Sequence, residues 1–220
     1  MRAEIEGASI VLVGAFNPAI FNPDWLAARS LIRGEEAAAA TITAISPDLA
    51  VFSMKWLELE VTRDRFMAHT SDPSNFPTLK EVVEGIYRLL EHTPIRQMGL
   101  NTDRHFRMAN VNDWHDLGDR LAPKPPWRDV LKGVRPEGLP GLKSVVVEGI
   151  REGSGSKFLN VTVEPSTRVV PGVYIATNEH YESAVVDSPS EILVQLERNW
   201  RPALEFSSRV CAHVLSRPSL

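Results

Sequence analysis

Residues 56–61 (WLELEV) alternate strictly between apolar and acidic side chains after the opening tryptophan. Leu57, Leu59 and Val61 share one side of an extended chain and the two glutamates share the other, because successive side chains of a strand point to opposite faces. This pattern predicts a strand that is buried on one face and wet on the other. We therefore expect a sheet in which only one face is covered here.

Two other segments carry the signals of helix starts. Asn22 is followed by proline and aspartate, the order of a capping residue, a first helical proline and an acidic first turn, and Gly34 is the expected end. Residues 79–91 have apolar side chains at the i, i+3, i+4 spacing of an amphipathic helix. Thr78 and Glu81 stand before this run as a capping box would.

The order of elements indicates the fold class. The first six elements, β, α, β, β, α, β, match a ferredoxin-like split unit. A helical insert, a β-hairpin over residues 142–165 with EGSGSK at its tip, and a long C-terminal helix follow. We predict an α+β fold with a mixed or antiparallel sheet. The last helix is expected to start with a capping box at Ser188 and Glu191, and Pro202 should kink or divide it.

Length and composition set the domain organisation. The 220 residues, 43% hydrophobic and 24% charged, suit one globular α+β domain over residues 1–220, and a subdivision into 1–134 and 135–220 stays open. No internal repeat of fixed period is found. The net charge of −4 provides no global positive field for nucleic acid or an anionic membrane.

The compartment follows from cysteine usage and hydropathy. The single cysteine, Cys211, excludes an internal disulfide and an all-cysteine metal site. We expect no secretory signal and no membrane span, because no window approaches the ~20 apolar residues that a span needs. The segments VTRDRF and HTPIRQMGLN resemble stretches of uncharacterised bacterial proteins. The expected setting is the bacterial cytoplasm.

Residues 110–127 (NVNDWHDLGDRLAPKPPW) hold the strongest catalytic candidates. With Asn112 as the helix cap, His115 and Asp119 lie four apart on one face, a spacing that can share a metal, with Asp113 and Asp116 nearby. This cluster could support a metal-assisted hydrolase. A capped helix explains the same residues, since acidic side chains stabilise a first turn, and no recognised metal motif is present. We favour the structural interpretation.

Four arginines form a second candidate, at the ends of two predicted strands: Arg63, Arg65, Arg104 and Arg107. If those strands were neighbours, the arginines and nearby aromatic residues would form a patch for nucleic acid or a phosphorylated ligand. Cross-strand pairing with Asp64 and Asp103 is the alternative, and the acidic net charge favours it.

The functional hypothesis is a non-enzymatic assembly or adaptor subunit that binds another protein or a second copy of itself. No dinucleotide or phosphate-loop motif predicts a cofactor, and no catalytic motif is present. Three tryptophans in or beside loops are the expected binding anchors: Trp25, Trp114 and Trp127. The metal-assisted hydrolase and the arginine-dependent binder remain the alternatives.

Overall fold

The computed structural model describes residues 1–131, 141–185 and 187–216. Within these ranges the chain forms nine strands and six α-helices. The strands are β1 (Ile5–Gly14), β2 (Thr41–Ile45), β3 (Leu49–Ser53), β4 (Glu58–Thr62), β5 (Arg65–Thr70), β6 (Ile95–Arg107), β7 (Val145–Gly149), β8 (Phe158–Pro165) and β9 (Gly172–Glu182). The helices are α1 (Pro23–Ala28), α2 (Gly34–Ala38), α3 (Phe76–Leu89), α4 (Val111–Leu121), α5 (Pro125–Arg128) and α6 (Ser190–Leu215).

All nine strands join one sheet in the order β2-β3-β4-β5-β1-β6-β9-β8-β7, and each pair of neighbours is antiparallel. The α+β class, the large antiparallel sheet and the C-terminal helix are therefore confirmed. The ferredoxin-like βαββαβ order is not confirmed, because four strands, and not two, lie between α2 and α3. The boundary of the subdivision at residue 134 lies outside the described residues.

The chain repeats one succession of elements. A long strand (β1 or β6) leads to two short helices, then to a meander whose last strand returns to pair with the long one, and finally to a longer helix (α3 or α6). The capped helices that follow the long strands correspond, since Asn22 and Asn110 each accept a backbone N–H three residues on. The first meander has one strand more than the second, which is why no fixed period is visible in the sequence.

One face of the sheet is covered by α3 and α6 and the other is open. The side chains of β1 alternate accordingly: Ala8, Ile10 and Leu12 are fully buried, whereas Ser9 and Val11 are half-buried on the open face. Burying apolar surface at roughly 25 cal/mol per Å² is the main force that holds the helices on the sheet. The alternation in WLELEV is confirmed, because its three aliphatic side chains are buried.

The sequence predicted the presence of the helices better than the residues at which they begin and end. The Asn22 cap is confirmed, with its Oδ1 accepting the Trp25 N–H at 2.8 Å. Gly34 does not end that helix: α1 ends at Ala28, and Gly34 is the first residue of α2. The α4 cap is Asn110 and not Asn112.

Both predicted capping boxes are wrong. The α3 helix already starts at Phe76, so Thr78 and Glu81 lie inside it. The α6 helix starts at Ser190, and Glu191 instead accepts backbone N–H groups from the preceding loop at 2.8 and 3.3 Å. Pro202 lies inside one undivided helix.

The β-hairpin prediction is confirmed, because β7 pairs with β8 and EGSGSK joins them. The short helix α5 ends at Arg128, and residues 132–140 lie outside the described residues.

Candidate functional site

The two edges of the sheet are β2 and β7, and they differ in regularity. The pairing of β2 with β3 shifts register between Ile42 and Ala44. The five pairs of β7 with β8 are continuous, and Val146 and Val147 on this edge are 58% and 60% exposed. A regular edge strand offers unpaired backbone N–H and C=O groups to another chain. The edge at β7 therefore exposes backbone groups together with two valine side chains.

The three tryptophans predicted as anchors lie in different environments. Trp127 on α5 is 54% exposed and lines a shallow depression of about 200 Å³ together with Lys143 and Ser144, directly before β7. Trp25 packs edge-on against Phe21, with ring centroids 6.0 Å apart, at the main core. Trp114 packs against the smaller core cluster. Of the three, Trp127 is the most exposed, whereas Trp25 and Trp114 are partly buried.

The three acidic residues of α4 lie in three different environments. Asn110 and Asp113 form a reciprocal pair at the helix start, with Asn110 Oδ1 accepting the Asp113 N–H at 2.9 Å and Asn110 Nδ2 donating to Asp113 Oδ2 at 3.1 Å. Asp119 pairs with Lys124, 3.0 Å from carboxylate to ammonium. Asp116 is exposed.

His115 lies beside Asp119 at a small cavity. Its ring packs on Trp114, with centroids 4.8 Å apart, and both His115 and Asp119 line a cavity of about 20 Å³. A space of that size is about right for one water molecule. Across residues 1–131, 141–185 and 187–216, no three or more His, Cys, Asp or Glu side chains are grouped to hold a metal ion.

The four arginines are not brought together. The strand β1 lies between β5 and β6, so the two predicted strand ends are not neighbours. Arg63 pairs with Asp48, and Arg65 with Glu60 at 3.3 Å. Their acidic partners are therefore not Asp64 and Asp103, and each charge is neutralised locally.

The other two arginines make equally local contacts. Arg107 pairs with Glu4 at 2.5 Å near the end of β6. This contact lowers the pKa of the Glu4 carboxyl, chiefly through the hydrogen bond from Arg107. Arg104 is also on β6, but its side chain lies on the face of the sheet that the helices cover, opposite to that of Arg107, and is buried. The arrangement leaves no continuous basic surface among these four residues.

Arg104 is the centre of a buried polar cluster that links β6 to α6. Its guanidinium donates to Ser207 at 2.6 Å and to Ser208 at 3.2 Å, and it pairs with Glu6 at 3.1 Å. Cys211 lies 3.7 Å away, and burial raises the pKa of its thiol. A protonated thiol is a poor nucleophile. The guanidinium of this arginine is thus occupied by contacts within the fold.

A second buried cluster fixes the β7–β8 loop to the sheet. Arg151 donates to both carboxylate oxygens of Glu179, at 2.6 and 2.9 Å, and to Asn199 of α6 at 3.1 Å. Burial and the hydrogen bond to Glu179 raise the pKa of the Tyr181 phenol. The sequence carries no local signal of this pair, since its members are 28 residues apart.

The open face of the sheet forms a concave depression of about 560 Å³ over β5, β1, β6 and β9. Ser9, Asn101, Asn178 and His180 are among its lining residues. A Cβ atom at Gly99 would lie 3.3 Å from the Asn178 amide nitrogen. The glycine therefore leaves this part of the depression free of a side chain. The volume is that of a small-molecule site. Sequence reasoning missed it because the lining strands are distant in the chain.

No described helix is long and apolar enough to cross a membrane. No protein-family model matches the chain, and no curated protein matches it either.

Proposed function

We propose that this chain is a non-enzymatic protein-binding subunit, an assembly or adaptor component of a bacterial cytoplasmic system. It receives an extended segment of its partner as an added strand along β7. The observation that carries the proposal is the regular, apolar and exposed edge of β7. Strand addition supplies affinity through backbone hydrogen bonds and specificity through alternate side chains.

The contrast between the two edges supports the choice of β7. Natural sheets protect their edges with bulges, prolines, charged side chains or short strands. The β2 edge has an irregularity between Ile42 and Ala44, whereas β7 pairs regularly and places Val146 and Val147 in solvent. Both strands are five residues long, so length does not distinguish them. Glu148 is the one charged side chain of β7, and the regular part of the edge that carries the exposed valines is expected to be covered by a partner.

Trp127 adds an anchor beside this edge. Its indole shares a depression with Lys143 and Ser144, which lead into β7. Tryptophan in a partly enclosed setting is a frequent hot spot of protein interfaces. A partner strand on β7 would run past this depression and could fill it with an apolar side chain.

The two alternative functions receive less support. The candidate metal cluster is divided among a helix cap, a lysine pair and an exposed aspartate. The arginines lie on different faces, and each is paired with a carboxylate. The protein-binding proposal does not require several side chains to meet at one point, because a strand edge binds through its backbone.

The test is affinity capture from the native cells followed by hydrogen exchange of the purified complex. Val147→Lys places a charge of the kind that protects natural edges on β7. Ile42→Lys is the matched control, since Ile42 is also β-branched, exposed and on an edge strand. We expect Val147→Lys to abolish capture, Ile42→Lys to retain it, and the partner to slow exchange of β7 amides.

Light scattering on the purified chain addresses self-association, with the same two variants. A strictly monomeric chain that captures nothing would contradict the proposal. Equal capture by the wild type and by Val147→Lys would contradict the assignment to β7.

A further inference from the structure

The open face carries a continuous row of polar side chains across all nine strands. Residues in direct cross-strand register share a face. Following the register from edge to edge gives Thr41, Ser53, Glu58, His69, Ser9, Asn101, Asn178, Asn160 and Glu148. At about 4.8 Å between strands the row is about 38 Å long. Its middle crosses the depression on the open face.

Three members of the row are joined by hydrogen bonds and still have unused capacity. Asn178 donates to the Asn101 Oδ1 atom, and Asn101 donates to the Ser9 hydroxyl at 3.2 Å. A primary amide has two donors and an acceptor with two lone pairs, so each asparagine keeps at least one donor for a ligand. The Oδ1 atom of Asn160 is buried and has no hydrogen-bond partner among the described residues. Buried polar atoms of this kind are normally satisfied.

The depression also offers apolar and aromatic surface beside the amides. Val11 and Met67 line it on the side of β1 and β5, and Tyr174 lines it on the side of β9. His180 lies flat on Phe158, with ring centroids 4.6 Å apart and planes at 5°. Aromatic rings accept the C–H face of a ligand while the amides bind its polar edge.

The charges on this face exclude a phosphate polymer as the natural occupant. Carboxylates are distributed along it: Glu58, Glu60, Asp103, Glu148 and Glu182. The guanidinium of Arg65, which lines the depression, already pairs with Glu60 at 3.3 Å. Nucleic-acid binding depends on cations that neutralise phosphates. The ligand chemistry that fits is uncharged, with groups that both donate and accept.

We propose that the open face binds an uncharged, polyhydroxylated chain, that is, a neutral oligosaccharide, across the strands. Hydroxyl groups donate and accept at once, as the side chains of Ser9, Asn101, Asn178 and Asn160 require. The regular spacing of the row suits a ligand that repeats its polar groups along its length. The depression at the middle of the row contains no residue of β7, and the proposal does not depend on the proposed function.

The experiment titrates the full chain with three neutral probes, namely cellohexaose, maltohexaose and chitohexaose. Binding is followed by calorimetry and by the side-chain amide signals of Asn101, Asn178 and Asn160 in nitrogen–proton correlation spectra. We expect at least one probe to shift these signals saturably. Asn101→Leu and Asn178→Leu, which are close in size to the wild-type residue, should each weaken binding about tenfold, the effect of losing hydrogen bonds to the ligand.

The matched control is Asn112→Leu, the same chemical change at an exposed position of α4, and it should bind as the wild type does. Val147→Lys should also bind normally, which separates this proposal from that for β7. Failure of all three probes would overturn the proposal, as would unchanged binding by both open-face variants. A thymidine oligonucleotide that shifts the same amides when no oligosaccharide does would also overturn it.

Discussion

The ion pairs of this fold differ in burial, and we expect the buried ones to affect its stability most. Glu179 is almost completely buried and forms two hydrogen bonds with the partly buried Arg151, whereas Arg201 and Glu205 form an exposed pair along α6. Removing one partner of a buried pair leaves a desolvated charge behind. Breaking an exposed pair exposes nothing new and changes stability little. Both pairs consist of an arginine and a glutamate, so a comparison of the two shows the effect of burial on stability.

We predict that Arg151→Met lowers the free energy of unfolding by about 3–5 kcal/mol, because Glu179 loses its counter-charge in the interior. Arg201→Met, with the same chemical change, should have little effect. Urea denaturation followed by circular dichroism measures both. Adding Glu179→Gln to Arg151→Met should recover part of the loss. Equal midpoints for the two single variants would show that the buried pair is not important for stability.

His105 makes stability depend on pH. It lies in a nearly closed site, its Nδ1 is 2.8 Å from the Ser166 hydroxyl, and its ring contacts Tyr174. Burial, assisted by Arg168 and opposed by Asp103, lowers the pKa of His105. The unfolded chain therefore binds a proton at this position more readily than the folded chain does.

The expected result is a loss of stability as pH falls from about 7 to about 5, through the ordinary histidine pKa of about 6.5 and toward the lowered folded value. Above that window His105 is neutral in both states and adds no pH dependence. His105→Gln should flatten this part of the curve. Urea midpoints measured across the pH range provide the comparison, and parallel curves for the wild type and the variant would refute the assignment.

At the scale of elements, the caps show where sequence patterns mislead. Asn110 and Asn112 both precede the apolar stripe of α4, and both are common capping residues. The sequence pattern favoured Asn112, but the structure uses Asn110, whose amide oxygen reaches the Asp113 N–H at 2.9 Å. Local pattern identifies the helix, whereas the cap is the residue with extended backbone directly before it, Asn110.

Asn110→Ala should therefore destabilise the protein by about 1 kcal/mol, the usual value of a lost cap. Asn112→Ala should be neutral or slightly stabilising, because Asn112 lies inside the helix and alanine is the better helix former. Thermal melts of the two variants decide the matter. The opposite order of stability would restore the cap predicted from sequence.

Strand prediction succeeded where it relied on alternation and failed where it needed pairing. The half-buried character of β4 could be predicted from WLELEV alone, because the alternation within a single strand shows which side chains lie on each face. The depression on the open face could not, since Ser9, Asn101 and Asn178 meet only through the β1–β6 and β6–β9 pairs. Neither pairing joins strands that are adjacent in the sequence, so no turn motif indicates it.

At the scale of the whole molecule, the sheet joins both halves of the chain. The strand β6 belongs to residues 1–134, and its neighbour β9 belongs to residues 135–220, yet eleven residue pairs connect them. The Trp200 indole of α6 donates to the Phe76 carbonyl of α3 at 3.0 Å. The two halves thus share both the sheet and the helical layer.

We predict that residues 135–220 produced alone do not fold, because β9 would lose its main partner strand and α6 its packing on α3. The full chain should unfold in a single transition, with circular dichroism and tryptophan fluorescence coinciding. Dispersed amide signals from the isolated 135–220 segment would contradict this prediction and support two domains.

The order of the strands also has a consequence for synthesis. Among the nine described strands, β1 comes first in the chain and lies at the centre of the sheet, whereas the edge strands β2 and β7 come later. As the chain leaves the ribosome, β1 to β5 and α3 can assemble from segments already made, leaving the β6 side of β1 unpaired until later residues arrive. During that interval the nascent chain exposes a second, temporary edge at β1, whose side chains Ala8, Ile10 and Leu12 are fully buried in the complete fold. A chaperone that holds extended chain would find its site there.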